Sequence, residues 1–115
     1  MTILSCKKIG NAEPIILNKY VVEFGAEGGQ EEIVSSNYKS FCIHQLSDEI
    51  VEKSTPSGDH LSISMDGIEL LAEGNKLIIK VAPAEEYHWW KTSVWSFNAY
   101  SNYIHIYQNR PPAQP

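Results

Sequence analysis

The stretch Tyr20-Val-Val-Glu-Phe-Gly-Ala-Glu-Gly-Gly29, continued by Gln30-Glu-Glu-Ile-Val-Ser-Ser-Asn37, alternates, turns and alternates again. Tyr20, Val22 and Phe24 fall on one side of an extended chain, with Val21 and Glu23 on the other, because strand side chains repeat every two residues. Gly25 and Gly28-Gly29 punctuate a hairpin, since glycine reaches positive φ at little steric cost. A short strand follows from about Glu31 to Ser35, with Ile33 facing inward. The period is that of β structure, not of a helix.

The remaining chain follows the same rhythm. Residues 1–13 lack periodicity and read as a flexible lead-in, and Pro14 opens the apolar run Ile15-Ile-Leu17. Phe41-Cys-Ile-His-Gln-Leu46 begins another strand, whereas Ser47 to Lys53 fits either a helical turn or a frayed edge strand. Leu61-Ser-Ile-Ser-Met65 alternates, apolar in and serine out. Asp66-Gly67 and Gly74-Asn75 are turn dipeptides; Ile68 to Leu71 between them is strand or loop. Leu77-Ile-Ile-Lys-Val81 is the expected central strand, stopped by Pro83. A loop through Glu85-Glu86 leads to a strand at Thr92–Phe97, a polar hairpin at Asn98–Asn102 and a last strand at Tyr103–Gln108. Arg110-Pro-Pro-Ala-Gln-Pro115 is a proline-rich tail that cannot continue a sheet. Roughly seven to eight short, mainly antiparallel strands of this spacing predict an all-β sandwich or barrel.

At 115 residues the chain makes one domain, here placed at 14–109. Its formal net charge of −5 and scattered basic residues, with only Lys7-Lys8 adjacent, argue against nucleic acid as a partner. No apolar run approaches the roughly 18 residues of a membrane span. Cys6 and Cys42 admit a disulfide, or a role for Cys6 alone; no paired Cys/His spacing suggests zinc. Ile3-Leu-Ser-Cys6 followed by Lys7-Lys8 looks like the end of a bacterial lipoprotein signal, in which Cys6 carries the lipid anchor, although the apolar stretch that should precede it is missing. A cysteine in a frayed terminus is the plain alternative.

The run from Phe24 to Asn37 resembles the hydrophobic-acidic-Gly-Gly, alternating-strand, Asn signature of the BACON domain (Bacteroidetes-associated carbohydrate-binding, often N-terminal). Leu77-Ile-Ile-Lys-Val-Ala-Pro83 is similar to that family's late strand, and Tyr103 to Gln108 to its closing strand ending on glutamine. Tyr38 or Phe41 stands where the family places an aromatic residue after the Asn. Ala84 replaces a customary Asn, and Trp89-Trp90-Lys91 occupies a region where the family favours Arg. The resemblance spans about Pro14 to Asn109 and implies an immunoglobulin-like β-sandwich. It further implies a non-catalytic, extracytoplasmic module, at the periplasm or cell surface, that contacts glycans or spaces other modules. A structural or protein-interaction domain is the competing expectation.

Aromatic residues are the candidate site. Tyr87-His-Trp-Trp90 falls in or beside a loop, with Tyr87, Trp89 and Trp90 as sugar-facing candidates. In the last strand, Ile104 and Ile106 share one face and Tyr103, His105 and Tyr107 the other. Sugar rings stack their C–H faces on such rings, and exposed apolar area of this kind marks binding surfaces. Trp95, by contrast, is expected to fill the core. Glu31-Glu32 and Glu85-Glu86 are sequence neighbours, so extended chain sends each pair to opposite faces rather than across a glycosidase cleft. His44, His60, His88 and His105 form no HxH or HExxH spacing, and no Gly-x-Ser-x-Gly elbow occurs. Neither a cofactor nor catalysis is expected.

Overall fold

The alternating segments assemble into two sheets in the computed structural model, which describes residues 13–47, 49–50, 61–65, 67–96 and 99–110. The strands are β1 (Val21–Phe24), β2 (Gly29–Val34), β3 (Cys42–Leu46), β4 (Glu49–Ile50), β5 (Ser62–Met65), β6 (Ile68–Glu73), β7 (Lys76–Val81), β8 (His88–Ser96), β9 (Ala99–Tyr100) and β10 (Ile104–Gln108). There is no helix among the described residues. The ten strands among the described residues exceed the expected seven to eight because β4 and β9 are two-residue pieces too short to read from sequence. The first sheet runs β1-β10-β8-β3-β4, with β9 also on β8; the second runs β2-β7-β6-β5. All pairings are antiparallel except that of β1 with β10.

Period-two burial builds the core. Val22 and Phe24 of β1, Ile33 of β2, Leu70 of β6, Leu77, Ile79 and Val81 of β7, Trp90 and Val94 of β8, and Ile104 and Ile106 of β10 join one buried cluster between the sheets. Each fully buried branched side chain contributes roughly 1.5–3 kcal/mol. The strands flanking the expected turns pair in register: Met65 lies opposite Ile68, and Glu73 opposite Lys76. Gly74 adopts φ 63° as the first central residue of its turn, which matches a type II′ hairpin.

The turn at Gly25–Gly29 is real, but it is not a hairpin. Gly28 N donates to Gly25 O at 3.0 Å, yet β1 joins β10 while β2 joins β7, so the turn hands the chain from one sheet to the other. Local periodicity cannot distinguish the two outcomes, since partner choice comes from long-range packing. Two further expectations change. Leu61 is exposed and precedes β5 rather than facing the core. The expected loop at His88–Lys91 is the first half of β8, the longest strand.

Backbone bridges and one side-chain clamp hold the segment before β1. Ile15 bridges Ser101 on the first sheet, and Leu17 bridges Ser35 at the end of β2. Asn37, the last residue of the opening stretch, accepts from Ile16 N at 2.9 Å through Oδ1 and donates from Nδ2 to Pro14 O at 2.9 Å. Both of its amide functions therefore hold one segment in place.

The outer face of the second sheet is laddered with opposite charges. Glu69 lies opposite Lys80 and Glu73 opposite Lys76, and Lys76 Nζ reaches Glu32 Oε1 at 3.9 Å. Such a face suits solvent. The outer face of the first sheet has a different character.

Candidate functional site

On β8 the parity is set by Trp90, Thr92 and Val94, all buried, so Trp89, Lys91, Ser93 and Trp95 point outward. The five-residue step from Trp90 to Trp95 necessarily puts them on opposite faces. The two roles are thus exchanged relative to expectation. Trp90 (5% exposed) belongs to the core, not to a sugar-facing patch, and Trp95 is a half-buried residue of the outer face. Trp89 is 49% exposed.

On β10 the isoleucines are fully buried, and His105 and Tyr107 project outward beside the strand-flanking Tyr103. Cross-strand register sets Tyr107 opposite Trp89 and His105 opposite Lys91. The rings lie nearly parallel. Trp89 and His105 have centroids 6.1 Å apart at 11°, and His105 and Tyr107 are 6.5 Å apart at 17°. Lys91 Nζ sits 4.5 Å above the Tyr103 ring centroid, a cation–π contact that fixes the lysine over the sheet. Tyr87 is exposed just before β8.

Beside this strip two irregularities open a cleft. In β3 the pairing slips between Ile43 and Gln45, so His44 is an extra residue. The bulge lets Ile43 and Leu46 both face the core at 0% exposure while His44 and Gln45 line the outer face. Thr92 Oγ1 donates to Gln45 O at 2.6 Å, satisfying a carbonyl beside the bulge. On the other side of β8, Trp95 lies opposite Tyr100 but Thr92 opposite Ile104, so one extra residue sits between β9 and β10. There Ser101 Oγ accepts from Val94 N at 3.1 Å, standing in for a ladder carbonyl.

Ser93, the small outward residue between the two bulges, is 3% exposed and floors the cleft. The opening has a volume of about 570 Å³ and is lined by His44, Gln45, Ser93, Tyr100, Ser101, Asn102, Tyr103 and His105. His44 meets Tyr100 edge to face, with centroids 4.8 Å apart at 65°. His105 Nδ1 faces no hydrogen-bond partner among the described residues although the atom is buried.

Four of the six aromatic candidates, Trp89, Tyr103, His105 and Tyr107, are therefore gathered on one face, whereas Trp90 is not. Lys91, Ser93, His44, Tyr100 and Asn102 were not anticipated. Lys91 and Ser93 share the parity of Trp89 and were legible in principle; the others arrive through bulges and cross-strand register. Cys6 and His60 lie outside the described residues, and the expected lipidation of Cys6 and its pairing with Cys42 fall outside them too. The lead-in at 1–12 and the tail at 111–115 lie outside them as well. Among the described residues no group of three or more His, Cys, Asp or Glu side chains converges as a metal site, and no helix is long and apolar enough to cross a membrane.

The architecture defines an all-β protein of two packed sheets with one aromatic outer face. The chain matches no protein-family model and no curated protein. Among solved structures it is similar to the NMR structure of a protein from Bacteroides thetaiotaomicron, at 19% identity and a TM-score of 0.67. The match covers 89% of this chain and 92% of that one. At that identity the likeness concerns the fold alone.

Proposed function

We propose that this chain is a non-catalytic glycan-binding module with an immunoglobulin-like β-sandwich fold of the BACON type. One sheet carries β2, β7 and β6 side by side, and the other carries β10, β8 and β3. That order parallels strands B-E-D and G-F-C of immunoglobulin domains. The fold likeness to the solved structure, at a TM-score of 0.67, supports the two-sheet part of this reading.

The observation that carries the function is the near-parallel Trp89–His105–Tyr107 set beside a polar-lined cleft. The exposed Trp89 offers apolar area at one end of this set to the C–H face of a pyranose, while Ser93, Gln45 and Asn102 offer hydrogen-bonding groups to hydroxyls. An extracytoplasmic setting, with Cys6 as lipid anchor, belongs to the same reading.

Affinity electrophoresis against soluble polysaccharides tests it. Wild type is retarded by at least one glycan, and Trp89→Ala weakens that binding about tenfold or more, as loss of a central aromatic anchor does. Retention of full affinity by Trp89→Ala overturns the platform. It would leave a structural or protein-interaction module as the better account.

A further inference from the structure

We propose that the site selects an anionic glycan, one bearing a uronate carboxylate or a sulfate ester, with Lys91 as the residue that pairs with the anion. The inference rests on the platform reading above and deepens it. The chain as a whole carries a formal net charge of −5, so a site for a polyanion has to be locally exempt from that charge. The cleft is exempt among the described residues: none of those that line it is Asp or Glu.

Lys91 supplies the positive charge. Its ammonium stands 4.5 Å over Tyr103, which lines the cleft, and enters no ion pair among the described residues. The lysines of the opposite sheet differ. Lys76 and Lys80 each face a glutamate across the ladder, and Lys76 also approaches Glu32. The cation–π contact spends much of the lysine's rotamer freedom before any ligand arrives, which favours a charge-assisted bond to an incoming anion.

His105, opposite Lys91 in the register, adds a second polar atom. The residue is shared by the ring stack and the cleft, and its buried Nδ1 has no hydrogen-bond partner among the described residues. Among the described residues a carboxylate that does share this face, Glu23, lies on edge strand β1 opposite Tyr107. Among the described residues the face is thus acidic at its β1 edge and basic toward the cleft. A neutral glycan makes no use of that polarity.

The test uses the full chain at physiological salt with three soluble probes: polygalacturonate, dextran sulfate and neutral dextran. Wild type is expected to bind at least one polyanion more tightly than dextran. Retention by polygalacturonate alone assigns a uronate, by dextran sulfate alone a sulfate ester. Lys91→Met, which keeps the aliphatic stem, weakens polyanion binding about tenfold to a hundredfold, and Lys91→Arg restores most of it. The proposal is overturned if dextran binds as tightly as both polyanions, if Lys91→Met binds polyanions like wild type, or if none of the three probes is retained. Loss of the platform itself reads differently: Trp89→Ala then binds every probe like wild type.

Discussion

Gln108, the last residue of the final strand, donates from its side-chain amide to the backbone carbonyl of Ala82 at 2.8 Å, joining the end of one sheet to the end of the other. The same nitrogen lies 3.3 Å from Gly25 O, and the side chain is 1% exposed. One buried donor thus serves two carbonyls beside the turn that changes sheets. Gln108→Leu keeps the volume but removes the donor, and is expected to destabilise the fold by about 1–3 kcal/mol in urea unfolding. An unchanged midpoint would show that the bonds add nothing.

Asn37 clamps Pro14 and Ile16 at the surface, holding the segment from which Ile15 and Leu17 enter the core. Asn37→Ala should cost about 0.5–1.5 kcal/mol. The loss should be concentrated locally, so that hydrogen exchange quickens at Ile15 and Asn18 amides before the β7 amides.

Gly28 and Gly25 bound the same turn but differ in tolerance. A Cβ on Gly28, at φ 79°, would meet Val81 O at 2.2 Å, whereas one on Gly25 would meet the movable Glu27 carboxylate at 2.6 Å. Gly28→Ala is therefore expected to destabilise by about 1–3 kcal/mol or more, from backbone strain and overpacking together. Gly25→Ala should cost well under half of that. Thermal melts of the two variants side by side decide the point, and equal costs would contradict the close approach.

The adjacent tryptophans separate stability from binding. Trp90→Ala should lower stability by about 3–5 kcal/mol through the cavity it leaves. Trp89→Ala should stay within about 1 kcal/mol of wild type, as an outer-face change. Acrylamide should quench the fluorescence of Trp89 more readily than that of Trp90, measured in variants that keep one of the two.

Strand content was legible because alternation is a local property: β7, β10 and the turns at Gly67 and Gly74 could be read residue by residue. The destinations of β1 and β2 could not, since two strands joined by a tight turn show the same pattern whether they pair together or part. Trp90 and Trp95 were misplaced for a related reason. The start of β8 contains His, Trp, Trp and Lys in succession, which hides the parity that Thr92 and Val94 later fix. Of the site, the outward strip on β10 followed from the burial of Ile104 and Ile106. The cleft did not, because the bulges at His44 and between Tyr100 and Ile104 interrupt the very period by which strands are recognised.

The parallel pairing of β1 with β10 has a mechanical meaning. His105 N binds Tyr20 O at 2.8 Å and Asn109 N binds Phe24 O at 3.0 Å, so the ladder runs the whole length of β1. Chain enters β1 at one pole of the sheet and leaves β10 at the other. Tension applied through the two ends would slide these strands past each other and load every rung at once, rather than peel them apart singly. Resistance to pulling is thereby built into the order of the strands.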